Sequence, residues 1–237
     1  MGIHICMFGS THNYSSKIPR LEKLFTECGI FDSFKIYTEH DLMKDRAFWE
    51  QHGEFILNNS RGFGYWIWKP YLYHKFLNTL SNDEYIVLLD CGCDIDISCQ
   101  KILDYYIEMI KPETGKDMIC FQLLNCFNRD FIKMDTLHHF DSTEVGDRLQ
   151  CQSGLIVSRN TESFRAFLIE WYTKMCHDNY HHIDDSPSII ANPSTFVEHR
   201  HDQAIYNCCL HKYDNKVVLP DVSNYRTSFL KVTRMKW

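Results

Sequence analysis

The sequence predicts an α/β fold: a mostly parallel central sheet flanked by helices, in a single domain over residues 1–237. Three observations carry this prediction. Short apolar runs recur, notably at residues 3–8, 85–89 and 154–158. Between them, apolar residues return at helical spacing. The run Tyr85-Ile86-Val87-Leu88-Leu89 is apolar throughout, as a strand covered on both faces should be. Strands alternating with helices imply crossover connections and parallel pairing.

The elements follow in order. Residues 3–8 read as a strand that ends at the turn Gly9-Ser10-Thr11. Ile18, Leu21, Leu24, Phe25 and Cys28 share a helical face, and Gly29 is placed to cap that helix. Residues 34–38 alternate like a strand, and 48–57 read as helical. Residues 69–80 fit another helix, with Pro70 tolerated in the first turn. The apolar strand at 85–89 ends at Asp90, and Ser98 is placed to cap a helix bearing Ile102, Leu103, Tyr106, Ile107 and Ile110. Residues 118–121 and 154–158 read as strands, and Phe164, Phe167, Leu168, Trp171 and Met175 mark an amphipathic helix. The polar stretch 177–195 contains Pro187 and Pro193 and reads as a long loop. A helix at 201–210 and a strand at 217–219 follow, whereas 125–150 shows no clear period. In such sheets ligands sit beyond the carboxyl ends of strands. That rule singles out residues 9–11, 90–96 and the loops near 122 and 152.

Composition narrows the function classes. The chain has 25 Lys and Arg against 31 Asp and Glu, a formal net charge of −6. This argues against a protein that coats nucleic acid or an anionic membrane. One phosphate-bearing small molecule in a local basic pocket remains compatible with it. The 11 cysteines have no CxxC spacing and read as reduced thiols in a cytoplasmic setting. No apolar stretch approaches the roughly 20 residues of a spanning helix. The start Met1-Gly2-Ile3-His4 lacks the basic residues of a signal peptide.

The most informative segment is Asp90-Cys91-Gly92-Cys93-Asp94-Ile95-Asp96. Three carboxylates crowd the end of an apolar strand, which is costly unless a cation or hydrogen-bond donors compensate. Mg²⁺ and Mn²⁺ favour such oxygens and bridge them to a diphosphate. The plainer reading is an acidic turn that caps the next helix. Cys91 and Cys93 read as small buried hydrophobes, since two thiols in one turn without a second pair make a weak soft-metal site.

Three further segments are unusual. Arg61-Gly62-Phe63-Gly64-Tyr65-Trp66-Ile67-Trp68-Lys69-Pro70-Tyr71 packs glycines, aromatics and two cations together. Lys69 or Arg61 suits a departing diphosphate, while Trp66 and Trp68 read as packing residues on one face of an extended segment. Gln152-Ser153-Gly154 offers an amide, a hydroxyl and a glycine that permits close approach; a bulge is the alternative. His199-Arg200-His201-Asp202-Gln203 opens a helix, where Asp202 is favoured by the helix dipole whatever else it does. Asp184-Asp185 and the pairs His138-His139 and His181-His182 read as solvated surface.

This layout resembles a nucleotide-sugar-dependent glycosyltransferase of the GT-A (Rossmann-like) fold, with an acidic DxD motif after a central strand. Asp90-x-Gly-x-Asp94 and Asp94-x-Asp96 both resemble that motif. The segments at 61–71, 152–154 and 199–203 resemble those of small bacterial and large-DNA-virus glycosyltransferases, over roughly residues 3–220. The resemblance implies a nucleotide-sugar donor, with UDP expected, a glycan or glycoprotein acceptor, and Mn²⁺ or Mg²⁺. It implies Asp94 with Asp90 or Asp96 as metal ligands. Donor contacts would fall at Phe8, Gly9, Ser10, Thr11, Arg61, Lys69, Asp90, Gln152, Ser153 and Gln203. Asp202 would be the catalytic carboxylate, as general base or as stabiliser of an oxocarbenium-like transition state. One departure is the lack of a histidine after His211, a residue that many such enzymes give to the metal. Two rivals compete: a metal-dependent phosphohydrolase built on His201-Asp202 and the acidic turn, and a carbohydrate-binding module using Trp66 and Trp68.

Overall fold

A computed structural model describes residues 1–221 and 229–232 of the chain. The strands are β1 (Ile3–Phe8), β2 (Ser33–Tyr37), β3 (Tyr85–Asp90), β4 (Cys93–Ile95), β5 (Met118–Phe127), β6 (Leu149–Arg159), β7 (Lys216–Pro220) and β8 (Leu230–Val232). Six form the central sheet in the order β2-β1-β3-β6-β5-β7, and β4 pairs with β8 beside it. β2, β1 and β3 are mutually parallel, as are β5 and β7, while β6 runs antiparallel to both of its neighbours. The α/β class and the mostly parallel sheet are as the sequence predicts.

The long helices are α1 (Lys17–Glu27), α2 (Arg46–Asn58), α3 (Trp68–Leu77), α4 (Gln100–Met109), α5 (Glu162–Met175) and α6 (His201–His211). They divide between the two faces because the strands alternate. Ile5, Met7, Val87 and Leu89 point to the face covered by α1 and α4, through Leu21, Phe25, Leu103 and Tyr106. Cys6, Phe8, Ile86 and Leu88 point to the other face, where α2, α3, α5 and α6 pack. Burying a large apolar side chain contributes roughly 1.5–3 kcal/mol, so two such layers hold the sheet from both sides. No helix among the described residues is long and apolar enough to cross a membrane.

Helix ends follow local chemistry. Gly29 follows α1 with φ +67°, the left-handed conformation expected of a glycine that ends a helix. Ser98 does not cap α4. Asp96 accepts from Ser98 N and Oγ and caps a short 3₁₀ turn, Ile97–Cys99, that precedes α4. A carboxylate competes well for that first free N–H.

Two departures from regular structure shape the site. Gly62, Phe63, Gly64, Tyr65 and Trp66 all have φ between +50° and +80°. This is a left-handed helical turn, closed by Tyr65 N–H to Arg61 O and Trp66 N–H to Gly62 O. Three of its residues are not glycine, at roughly 1–2 kcal/mol each. The tryptophans therefore do not line an extended segment. The second departure lies in β6. Cys120 pairs with Ile156 but Gln122 with Cys151, so β6 carries three extra residues there. Residues 152–155 form a wide bulge, which re-aims their side chains.

Candidate functional site

Strand β1 lies between β2 and β3, so the connections after β1 and after β2 leave in opposite directions. Such a switch point opens a crevice at the carboxyl ends of the strands. Phe8 and Asp90 pair across it. Gly9 follows β1 and lets the next turn close in: a Cβ there would lie 2.7 Å from Cys91 Sγ.

One ammonium organises the floor of this crevice. The left-handed turn delivers Lys69 into the first turn of α3, and its side chain is only 2 % accessible. Lys69 Nζ donates to Asp202 Oδ2 at 2.8 Å, Asp90 Oδ2 at 3.2 Å and Ser153 Oγ at 3.4 Å. Ser153 Oγ donates to Asp202 Oδ2 at 2.7 Å. The bulge in β6 aims Ser153 at α6 in this way, and Gln203 Oε1 accepts from Ser153 N at 3.3 Å. The buried indole of Trp171 on α5 donates to Asp202 O at 3.0 Å and fixes the first turn of α6. Gly154 stands where Asp90 leans over β6, and a Cβ there would lie 2.7 Å from Asp90 Oδ2.

The charges are tuned by burial and by each other. Burial opposes the Lys69 ammonium, but Asp202 and Asp90 outweigh it and hold its pKa above the ordinary value. Burial pushes the Asp90 carboxyl up; Lys69 opposes the rise and Asp202 adds to it. Asp90 Oδ1 is buried and has no hydrogen-bond partner, and the same is true of Gln152 Nε2. A buried carboxylate oxygen with no donor costs free energy unless a proton, a cation or a ligand's donor meets it.

The acidic turn is dispersed. Asp94 Oδ2 meets Arg20 at 2.5 Å and Lys17 at 4.0 Å. Asp96 Oδ1 is engaged in the 3₁₀ cap. Asp90, Asp94 and Asp96 do not bring three ligand atoms within 4.8 Å of one another. Cys91 and Cys93 are buried, and burial pushes the Cys91 thiol up to about 12 and the Cys93 thiol higher still. They are packing residues, as the sequence suggested, and all 11 cysteines are free.

The other expected residues are spread around the crevice. Phe8 stacks on Trp68 at 3.9 Å between ring centroids. Thr11 bonds the Glu39 carboxylate through N and Oγ1. Arg61 does not join Lys69; it pairs with Asp185 at 3.1 Å and Glu198 at 3.6 Å. Gln203 Nε2 donates to Gln150 Oε1 at 2.6 Å. His201 Nδ1 donates to Ile183 O at 2.7 Å, and its ring stacks on Tyr65 and Trp66. Asp185 is no idle surface group, since Tyr65 Oη donates to it at 3.0 Å.

Sequence reasoning missed Lys17 and Arg20. They sit three apart on the helix after the first turn, and Lys17 Nζ also donates to Cys93 O at 2.8 Å. The signal available was that spacing, which puts two cations on one helical face beside a strand end.

No family model matches the sequence, and no curated protein matches it. Several solved structures are similar in layout. Mouse xyloside xylosyltransferase 1, in its apo form, aligns over 92 % of this chain and 85 % of its own, with 13 % identity and a TM-score of 0.46. The galactosyltransferase LgtC, solved with donor and acceptor sugar analogues, aligns over 91 % and 72 %, with 10 % identity and a TM-score of 0.49. The bifunctional glycosyltransferase WbbM, also apo, aligns over 92 % of this chain at 10 % identity and a TM-score of 0.46. This chain spans only 39 % of the WbbM chain.

Proposed function

We propose that the chain is a glycosyltransferase that moves a sugar from a nucleoside-diphosphate donor, UDP the expected carrier, to a hydroxyl of a glycan or glycoprotein. One observation carries the reading: Asp90, at the carboxyl end of β3 beside the switch point, is fixed by Lys69 through Oδ2 and has Oδ1 unpartnered. A carboxylate so placed suits a donor's ribose hydroxyls or a cation on its diphosphate.

The roles follow from the contacts. The turn after Phe8, with Gly9, Ser10 and Thr11, lies at the base and ribose end of the crevice. Lys69 holds Asp90 in position and adds positive potential. Lys17 and Arg20, on the opposite side of the acidic turn, supply the cationic field that a departing diphosphate needs. Gln152, with its buried unpartnered amide, is assigned to a sugar hydroxyl. Asp202 Oδ2 is taken by Lys69 and Ser153, so it acts as a positioning residue for the ammonium. A general base would need an oxygen that faces the acceptor. Arg61 and Gln203 frame the rim through Asp185 and Ser153.

Asp90, through its unpartnered Oδ1, would hold Mn²⁺ or Mg²⁺, with Asp94, whose Oδ2 meets Arg20, as the further carboxylate of the turn. When bound, such an ion neutralises diphosphate charge.

The two rivals find less support. The phosphohydrolase reading calls on His201 as a ligand beside the acidic turn, but its ring nitrogens face Ile183 O and Asp185, not Asp90 or Asp94. A carbohydrate platform needs open indole faces, but Trp68 is 3 % exposed and stacked on Phe8.

The test is calorimetric titration of the full chain with nucleoside diphosphates, with and without Mn²⁺. The expected result is UDP binding that is lost in Asp90→Asn, together with slow release of UDP from a UDP-sugar. Failure of every nucleoside diphosphate to bind would overturn the reading.

A further inference from the structure

A second cluster of ligating groups lies away from the crevice. His139 ends the short helix Met134–His139, and Asp178 and His182 come from the segment after α5. One ligand atom from each lies within 4.8 Å of the other two, and among the described residues no other three His, Cys, Asp or Glu side chains do this. Asp178 Oδ2 is 3.0 Å from His182 Nε2 and 3.3 Å from His139 Nδ1.

The outer nitrogens of both histidines are also provided for. His139 Nε2 is 3.3 Å from His177 Nδ1, and His182 Nδ1 is 3.3 Å from the buried Thr136 Oγ1. In metal sites, ligating histidines hold the second ring nitrogen in just such an outer hydrogen bond, which fixes tautomer and ring orientation. The backbone is bent to suit. Asp178, Asn179 and Tyr180 have φ of +46°, +51° and +69°, so three successive non-glycine residues are wound left-handed and turn Asp178 back toward the histidines. Three L-residues in that region cost several kcal/mol, so something must hold them there.

We propose that His139, Asp178 and His182 form a binding site for a divalent transition metal of the zinc class. Two imidazoles and one carboxylate suit Zn²⁺ better than Mg²⁺ or Ca²⁺, which prefer all-oxygen shells. His182 is 3 % accessible while Asp178 is 57 % accessible, so the site is closed below and open above, with room for water as a fourth ligand. The metal fastens the segment that supports the start of α6 and Arg61. Its carbonyls at His182 and Ile183 accept from His199 Nε2 and His201 Nδ1, and its Asp185 holds Arg61. The site stands on its own geometry and does not depend on the glycosyltransferase reading.

The experiment uses the full chain, stripped with chelator and titrated with Zn²⁺ by calorimetry and with Co²⁺ by visible absorption. One equivalent of Zn²⁺ should bind, and Co²⁺ should give the strong visible bands of a four-coordinate site. Both should be retained in Asp90→Asn and lost in His139→Ala/Asp178→Asn. Thr136→Val should weaken Zn²⁺ about ten-fold by loosening His182. If the double variant proves unfolded by circular dichroism, His139→Gln, at a partly exposed position, serves in its place. No one-equivalent binding in the wild type, or undiminished binding in the folded variant, overturns the proposal.

Discussion

The Lys69 ammonium and the Asp202 carboxylate lie 2.8 Å apart, with side chains 2 % and 6 % accessible. The two buried charges compensate each other, and Asp90 at 3.2 Å shares the ammonium. Losing one partner of a buried pair generally costs about 3–5 kcal/mol, because the remaining charge is left uncompensated. Lys69→Met should therefore lower stability by about that amount. Lys69→Met/Asp202→Asn should recover a good part of it. Urea unfolding of the four proteins of this cycle measures the coupling, and additive effects would show that the pair is not coupled.

Asp90 should separate stability from function. Its folded pKa is raised by burial, so the fold favours the protonated form. The stability it supports is present at acid pH and falls as pH rises from the ordinary carboxylate range toward the folded pKa. Asp90→Asn removes that fall. At neutral pH the variant should be at least as stable as wild type while donor turnover drops by 100-fold or more. Unfolding curves taken from pH 4 to 7 check the first part, and UDP release checks the second.

Gly154→Ala tests the approach of Asp90 to β6. The new methyl would lie 2.7 Å from Asp90 Oδ2, yet Gly154 needs no left-handed backbone. The carboxylate must move instead. Turnover should fall at least ten-fold with a stability change of about 1 kcal/mol or less, the range expected for a shifted side chain that is not a core residue. Unchanged kcat/KM would show that the position of Asp90 is not critical.

Gly64→Ala tests the left-handed turn. Gly64 has φ +80°, and a Cβ there would lie 2.5 Å from Ile56 Cγ1. Backbone strain and the clash with α2 add, so a loss of roughly 2–4 kcal/mol is expected. Ile56→Ala should relieve the clash but not the strain, so it rescues only part of the loss in thermal unfolding.

His52 predicts acid sensitivity. It is fully buried on α2 between Tyr172 Oη at 2.5 Å and Tyr180 Oη at 2.9 Å, and burial lowers its pKa from 6.5 to about 4. A histidine held neutral in the fold stabilises it above pH 6.5, and this stability is lost as pH falls toward 4. The loss amounts to roughly 3 kcal/mol across that window. His52→Gln should flatten the stability profile between these pH values by close to one proton; an unchanged slope would assign the acid sensitivity elsewhere.

Much of the fold was legible because it is written in apolar period. The apolar runs at residues 3–8 and 85–89 and the stripe from Phe164 to Met175 each follow from burial. The site was legible in part. Lys69, Asp90, Ser153 and Asp202 were all singled out by residue type and by position at element ends, although the four-way contact is a tertiary fact. What escaped has a physical reason. Five consecutive left-handed residues at 62–66 leave little mark on hydrophobic patterning, and only Gly62 and Gly64 hinted at them. The bulge in β6 shifts side-chain parity without changing composition. His182 read as surface because its neighbours are polar, but its buried environment comes from residues 136–140.

The Lys69 cluster also bears on the order of folding. Its ammonium contacts partners 21, 84 and 133 residues away in sequence. Contacts of such span close late, after nearby segments have collapsed. The Asp90, Ser153 and Asp202 contacts join segments on both sides of the β3–β6 pairing, so a chain with only its first three strands in register lacks the charge balance at the crevice. During synthesis the Lys69 ammonium therefore finds its full set of partners only once Asp202 and the first turn of α6 have emerged.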